Sequence, residues 1–159
     1  MVELRIEVKN AFGLIDNGDS RFIPGFGRFS SLLDRLQAYN IRLCHNGKKV
    51  NAKASMAVCS LGIHDGEEIW FEIEGANEEE AAKVVFQVCH ACEVIPTYKM
   101  KKANYSYEVE GVYYFLDDET YEDICIKPEE TNYFPKHLQE MSDVVLAELN
   151  GEVKYVFVG

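Results

Sequence analysis

Residues 46–62 decide the fold of the N-terminal part, and they read Asn46-Gly47-Lys48-Lys49-Val50-Asn51-Ala52-Lys53-Ala54-Ser55-Met56-Ala57-Val58-Cys59-Ser60-Leu61-Gly62. Asn-Gly is the strongest short signal for a β-hairpin, because both residues tolerate a positive φ. The small and apolar residues from Ala54 to Leu61 favour a short helix, and Gly62 suits the position just after its end. The stretch therefore predicts a strand, a tight turn, a returning strand and a short helix.

Regular hydrophobic patterns flank this stretch on both sides. Apolar residues that alternate with polar ones indicate strands with one buried face, and spacings of three and four indicate an amphipathic helix. Asn77, with acidic residues after it, suits a helix N-cap. The predicted elements are strands over 2–9, 41–45 and 67–75 and helices over 29–39 and 77–92. His45 is expected to be an exposed residue of its strand.

The stretch resembles the HPr family, the small phosphocarrier proteins of the bacterial sugar phosphotransferase system. Members read N-G-K-x-V-N-x-K-S, then apolar residues, then S-L-G, and this chain follows the pattern from Asn46 to Lys53 and from Ser60 to Gly62. The resemblance continues through 63–69 and 74–81 and covers residues 1 to about 92. It implies an α+β fold, an HPr-like open-faced β-sandwich in which three helices cover an antiparallel sheet.

The resemblance also implies a histidine after the first strand, in the family pattern G-[L/I/V]-H-A-R-P, because that imidazole accepts phosphate. This chain reads Gly13-Leu14-Ile15-Asp16 there, so Ile15 stands at the histidine position, and no histidine precedes His45. If the gap is placed differently, Arg21 falls at that position. We therefore expect histidyl phosphotransfer to be lost and no residue to be catalytic.

Other residues are candidates for binding or regulation. Arg21 and Arg28 lie beside glycines and are candidate anion ligands, with plain loop structure as the alternative. In many family members of low-GC Gram-positive bacteria, a serine after N-x-K is phosphorylated for regulation. Here Ala54 follows Lys53 and Ser55 comes one residue later. Ser55 is therefore either a regulatory phosphorylation site or the N-cap of the short helix.

The short second helix is the candidate docking surface. Its apolar residues include Met56, Cys59 and Leu61. In the family this helix contributes an exposed apolar face to the binding of enzyme I and other partners. An exposed apolar patch marks a partner site, and core packing of the same residues is the alternative.

Composition bounds the classes of partner and compartment. The chain has 16 Lys and Arg against 27 Asp and Glu, a net charge of −11, which disfavours nucleic-acid binding. No apolar run is long enough to span a membrane, and the N-terminus does not read as a signal peptide, so a cytoplasmic location is expected. The five cysteines are an odd number without a secretory signal, which favours reduced thiols. We expect neither a cofactor nor a metal; Cys89-His90-Ala91-Cys92 is interpreted as structural, with zinc or redox chemistry as alternatives.

The charge divides unevenly along the chain and indicates two domains. Residues 1–92 carry 10 basic and 13 acidic side chains, whereas residues 93–159 carry 6 and 14. The second part is small, acidic and tyrosine-rich, and its pattern predicts three strands, a helix over Pro135–Leu149 and a final strand, a βββαβ extension. So short a segment is near the lower limit for independent folding. We therefore expect it to dock on the first domain or to be swapped between subunits.

Together these features predict an HPr-like protein without histidyl phosphocarrier activity. It is expected to be a regulatory or adaptor module, not an enzyme, that binds phosphotransferase-system components or a regulator, and a homodimer is left open. One alternative is a phosphocarrier that uses a displaced acceptor such as His45 or His64. Another is an enzyme at the junction of the two parts, for which the chain offers no arranged nucleophile and base.

Overall fold

The structure is a computed structural model that describes residues 1–9, 33–54, 57–58, 60–64, 66–92, 94–136 and 138–159. This part of the chain forms two compact units, Met1–Thr97 and Tyr98–Gly159. The first unit extends past Cys92 because backbone hydrogen bonds hold Val94 to it. Lys9 N donates to Val94 O at 2.8 Å, and Val94 N donates to Cys89 O at 3.1 Å. No helix among the described residues is long and apolar enough to cross a membrane.

The described residues of the first unit form an antiparallel sheet and an α-helix that packs on it. The strands are β1 (Val2–Glu7), β2 (Asn40–His45), β3 (Lys48–Asn51) and β4 (Glu68–Glu74), in the order β1-β4-β2-β3. A 3-10 helix spans Leu33–Leu36, and helix α1 spans Glu78–Ala91. Successive strand side chains point to opposite faces of the sheet. The predicted alternation is thereby confirmed, since Leu4, Leu43 and Phe71 are fully buried on one face while Arg5 and Trp70 lie on the other.

Helix α1 closes the buried face of this sheet. The Oδ1 of Asn77 accepts a hydrogen bond from Glu80 N at 3.2 Å, so the predicted N-cap is confirmed. The helix contacts β1 and β4 and buries Val85 and Phe86 completely. Each fully buried side chain of this size contributes about 1.5–3 kcal/mol through removal of apolar surface from water.

The α+β class is therefore observed, while the three-helix sandwich stays a prediction. Within the predicted helix 29–39, the described residues Leu33–Leu36 form a 3-10 helix. Within the predicted short helix, Ala57 and Val58 are helical, and their neighbours Ser55, Met56 and Cys59 lie outside the described residues.

The second unit is a five-stranded antiparallel sheet. Its strands are β5 (Lys99–Val109), β6 (Val112–Asp117), β7 (Asp123–Ile126), β8 (Asp143–Leu149) and β9 (Glu152–Val158), in the order β7-β6-β5-β8-β9. A 3-10 helix, Pro128–Glu130, follows β7. One face buries a cluster formed by Ala103, Tyr105, Phe115, Ile126, Val144, Leu146 and Val156.

The predicted helix over Pro135–Leu149 is wrong, so the extension is not βββαβ. Residues Asp143–Leu149 form β8, which pairs with both β5 and β9. Asn150 and Gly151 have φ values of 54° and 81°, which makes them a two-residue hairpin turn and not a helix stop. Met141, counted in the predicted helical stripe, has a φ of 67°, which a right-handed helix does not accommodate.

Among the described glycines, Gly75 leaves the least room for a Cβ atom. A Cβ added there would collide with the ring of Tyr39. That ring is held in place, because the Tyr39 hydroxyl accepts a hydrogen bond from Asn77 N at 3.1 Å. We expect Gly75→Ala to lower the free energy of unfolding by about 1–3 kcal/mol, the usual cost of overpacking. Urea denaturation followed by circular dichroism measures this loss.

The double variant Gly75→Ala/Tyr39→Ala is the control for this collision. If the ring causes the loss, the double variant should lose less than the sum of the two single variants, because contacting residues are coupled. Strictly additive losses would show that the cost at Gly75 has another origin.

Candidate functional site

The segment that follows the first hairpin is the candidate site, because the family resemblance is strongest there. Asn46 and Gly47 have φ values of 49° and 78°, the backbone of a type I′ turn, and they join β2 to β3. The predicted hairpin is confirmed. At the end of β3, the Oδ1 of Asn51 accepts a hydrogen bond from Lys53 N at 3.0 Å, which turns the chain out of the sheet.

Lys53 connects this turn to the preceding 3-10 helix. Its ammonium group donates to Leu36 O at 2.6 Å and to Tyr39 O at 2.7 Å. Carbonyl groups at a helix C-terminus carry partial negative charge, so a lysine there is favourable. The role of Lys53 in this structure is therefore to fix the end of one helix against the start of the next.

The remainder of the predicted docking helix turns towards the core where it is described. Val58 N donates to Ala54 O at 3.0 Å, and the Val58 side chain is fully buried. Leu61, named above as a candidate docking residue, is 9% exposed and belongs to the buried set. Ser60 Oγ donates to Ala57 O at 2.6 Å, and Gly62 has a φ of 65°.

Most of the predicted site residues cannot be placed. The residues that lie outside the described part of the chain are Ile15, Arg21, Arg28, Ser55, Met56 and Cys59. The anion site, the regulatory phosphorylation and the docking face therefore stay predictions.

The carboxylate of Glu67 contacts two histidines, His45 through its ring and His64 through its backbone amide. His45 is 4% exposed, so the expectation of an exposed strand histidine is wrong. Its Nε2 lies 2.8 Å from Glu67 Oε2, and the other carboxylate oxygen accepts a hydrogen bond from His64 N at 2.6 Å. These contacts lower the pKa of Glu67 below its ordinary value of 4.5, the bond with His45 first and the His64 amide second.

The alternation of β2 could have predicted the burial of His45. Residues Ile41 and Leu43 are the two apolar residues on that strand, and His45 is in phase with them. A histidine in phase with a buried face needs a polar partner nearby. Glu67 lies 22 positions further along the chain and gives no local signal of the contact.

Two of the described thiols, those of Cys44 and Cys89, are poorly suited to nucleophilic or redox chemistry. Burial first, and then the hydrogen bond to Glu72, raise the pKa of Cys44 to about 11. Burial raises the pKa of Cys89 well above its ordinary value. A thiol that stays protonated is a weak nucleophile and metal ligand. The described residues contain no cluster of three His, Cys, Asp or Glu side chains that would hold a metal ion.

On the outer face of the first sheet, a carboxylate is buried by its neighbours. Glu72 is 5% exposed, accepts a hydrogen bond from the Cys44 thiol at 3.3 Å and lies 2.7 Å from Lys49 Nζ. The Glu72 carboxylate thus contacts side chains of β2 and β3, Cys44 and Lys49.

Comparisons with known proteins match the N-terminal part of this chain. Residues 27–90 match the family model described as the PTS HPr component phosphorylation site. The chain is 36% identical over 85 residues to the HPr-like protein Crh of Halalkalibacterium halodurans, which covers 54% of this chain and 92% of that protein. It is 33% identical over 81 residues to the HPr-like protein Crh of Bacillus subtilis, which covers 51% and 86%.

Two solved structures are similar over the same portion. One is HPr-C-His from Thermoanaerobacter tengcongensis, with 32% identity and a TM-score of 0.43, covering 58% of this chain and 94% of the other. The second is a phosphocarrier protein HPr from Bacillus anthracis, with 26% identity and a TM-score of 0.44, covering 55% and 94%.

The contacts of Lys53 predict a stability loss when the ammonium is removed. Lys53→Met keeps the length of the side chain but leaves the Leu36 and Tyr39 carbonyls without this donor. Hydrogen bonds from a charged group stabilise by about 1.5–3 kcal/mol, and we expect a loss of that order in urea denaturation. Lys48→Met, at an exposed hairpin position, is the matched control and should change stability by less than about 0.5 kcal/mol. Equal effects of the two substitutions would contradict the role assigned to Lys53.

The lowered pKa of Glu67 predicts a pH dependence of stability. A carboxylate whose pKa is lower in the folded state stabilises fully above its unfolded pKa, and this contribution is lost as the pH falls through the folded pKa. Glu67→Gln should therefore be less stable than the wild type at neutral pH, and the gap should close as the pH falls below the ordinary value of 4.5. Urea denaturation at a series of pH values measures the gap.

Glu68→Gln is the control, since the Glu68 carboxylate is half exposed and its contact with Arg5 Nε is long, at 4.0 Å. Its curve should remain close to that of the wild type. A gap for Glu67→Gln that stays constant from neutral to acid pH would show that the charge of Glu67 does not carry the effect.

Proposed function

Because this chain belongs to the HPr family of the phosphotransferase system, we propose that it is a member without histidyl phosphocarrier activity that acts by binding other proteins. Its role in this proposal is regulatory or that of an adaptor. It is not an enzyme, it is cytoplasmic, and its partner is a phosphotransferase-system component or a regulator. The net charge of −11 supports a protein partner over nucleic acid.

The observation that carries the proposal is the residue at the expected phosphate acceptor. Ile15 occupies that position in the family pattern, and an aliphatic side chain has no atom that can accept a phosphoryl group. The match to the family model begins at residue 27, so Ile15 lies outside the matched residues.

The two candidate displaced acceptors, His45 and His64, are poor substitutes. The Nε2 of His45 is occupied by Glu67, and the ring is almost fully buried, which keeps it from a phosphoryl donor. His64 is exposed, and its exposure is the one observation that favours the alternative of a displaced acceptor. The Glu67 carboxylate bonded to the His64 amide adds a negative charge that opposes the approach of a phosphoryl group.

The features that support a binding role are the ones the chain keeps. The hairpin turn, Asn51, Lys53 and Gly75 each have a defined structural contact. The curated relatives above are named HPr-like proteins, which supports a family member outside the ordinary carrier. In this proposal the second unit docks on the first unit or is swapped between subunits, and it adds a surface that the family domain lacks.

Intact mass spectrometry after incubation with enzyme I and phosphoenolpyruvate tests the loss of phosphotransfer. We expect no acid-labile phosphate adduct on this chain, while an ordinary HPr in the same mixture becomes fully phosphorylated. Ile15→His is the matched positive control, because it places an imidazole at the expected acceptor position and changes no other residue. An adduct on the wild type that disappears in His64→Ala would overturn the proposal in favour of the displaced acceptor.

The same mixture tests binding to enzyme I. A chain that docks without accepting phosphate should slow the phosphorylation of the ordinary HPr in proportion to its concentration. If the rate is unchanged, the partner is another component, and enzyme I is removed from the proposal.

A further inference from the structure

We propose that β7 is a self-association edge, at which two copies of this chain pair their five-stranded sheets antiparallel about a two-fold axis at Cys125. The inference concerns the second unit, which the family model does not reach. It does not depend on whether the first unit has lost phosphotransfer.

Strand β7 lies at one end of the sheet and presents unpaired backbone groups. In an antiparallel pair, hydrogen-bonded and non-hydrogen-bonded residue pairs alternate. Asp117 N donates to Glu122 O at 3.0 Å, so the next pair, Leu116 with Asp123, is not hydrogen-bonded. The amide and carbonyl groups of Asp123 and Cys125 therefore point away from β6, and no described residue bonds to them.

The opposite edge strand, β9, is partly covered by another segment of the chain. Asn132 N donates to Lys154 O at 2.6 Å, and Val156 N donates to Tyr133 O at 3.1 Å. The segment around Tyr133 thereby covers the middle of β9. Beside β7 there is an open cavity of about 760 Å³, which residues of β7 and residues of the β8–β9 hairpin, among them Glu148 and Val153, line together. Among the described residues, β7 is thus the edge on which the backbone groups of Asp123 and Cys125 are unpaired.

The side chains of β7 complement a second copy of the same strand. The strand and the residue after it read Asp123-Ile124-Cys125-Ile126-Lys127, and Lys127 O already accepts a hydrogen bond from Glu130 N at 3.0 Å, so Lys127 takes part through its side chain. Antiparallel pairing centred on Cys125 places Asp123 opposite Lys127 of the partner subunit and Ile124 opposite Ile126 of the partner subunit. Opposite charges and apolar residues directly across from each other stabilise paired strands. Neither charge is engaged by another described side chain, so both are available.

Short, charged edge strands often serve to prevent pairing, and this one differs in its symmetry. A lone lysine or a block of like charges repels a second copy of itself. Here one acidic and one basic residue stand at equal distances on either side of Cys125, so each finds its opposite in the two-fold arrangement. The chain carries a net charge of −11, which repels other copies in general, so specific pairing at β7 is the feature that favours association.

Charge swaps at Asp123 and at Lys127, the residue that follows β7, test this arrangement in the full-length chain. Sedimentation velocity over a concentration series should show a weak dimer for the wild type. Lys127→Asp and Asp123→Lys should each weaken it about tenfold, since two attractive cross-strand pairs become repulsive. The double variant Asp123→Lys/Lys127→Asp should restore the wild-type dissociation constant. Lys48→Asp makes the same charge change on the first unit and should leave dimerisation unchanged.

The double variant separates the proposed pairing from a general charge effect. It has the wild-type net charge and the reverse order of charges along the strand, which only pairing between copies of this strand would tolerate. A monomer at the highest soluble concentration, or a dimer that none of these substitutions weakens, would overturn the proposal.

Cross-linking at the two-fold axis supplies a second readout. Residues in a hydrogen-bonded antiparallel pair have Cα atoms about 5.5 Å apart, which is within the range of a disulfide. Cys125 is the exposed cysteine among those described, and the thiol is free. Mild oxidation should yield a covalent dimer from the wild type and none from Cys125→Ser. A covalent dimer that persists in Cys125→Ser would place the contact elsewhere and overturn the proposal.

Discussion

Three two-residue turns fix how three pairs of neighbouring strands begin to pair, namely β2–β3, β5–β6 and β8–β9. In each of them both residues have a positive φ: Asn46 and Gly47 at 49° and 78°, Glu110 and Gly111 at 51° and 82°, and Asn150 and Gly151 at 54° and 81°. Such turns match the right-handed twist of antiparallel strands, so a two-residue turn also sets the register. The buried faces of β2, β5, β6, β8 and β9 depend on that register, since a shift by one residue would turn the core side chains of the shifted strand to the other face.

The same constraint explains which parts of the fold could be predicted from the sequence. Asn46-Gly47 stands between two alternating segments, so the hairpin follows directly from it. Asn150-Gly151 stands after apolar residues whose spacing also suits a helix, and a glycine after such a stripe is equally a helix end. The two β-branched residues Val144 and Val145 favoured the strand. What decides between the two is the pairing of β8 with β5, a long-range contact that no local pattern contains.

The candidate site divides in a similar way. That a histidine is missing is visible in the sequence, because it concerns the chemical identity of one residue. The contacts of Lys53 with Leu36 O and Tyr39 O, and the bond between His45 and Glu67, join positions 14 to 22 residues apart. Their formation depends on how the strands and helices pack. Residue identity therefore predicts which chemistry is absent, and only the packing shows what the remaining polar groups do.

The contrast between retained and missing residues bears on how family membership should be interpreted. Asn51 and Lys53, which match the family pattern, hold the turn and the helix end in place. Gly75 leaves room for the Tyr39 ring. Residues with such roles are required by the fold whatever the protein does, and a shared fold does not carry a function with it. A phosphocarrier of the family pattern needs in addition one imidazole after the first strand, and no histidine precedes His45 in this sequence. The residues of the family pattern whose contacts the structure describes, Asn51 and Lys53, thus have roles in folding the domain, and these roles alone do not assign its chemistry.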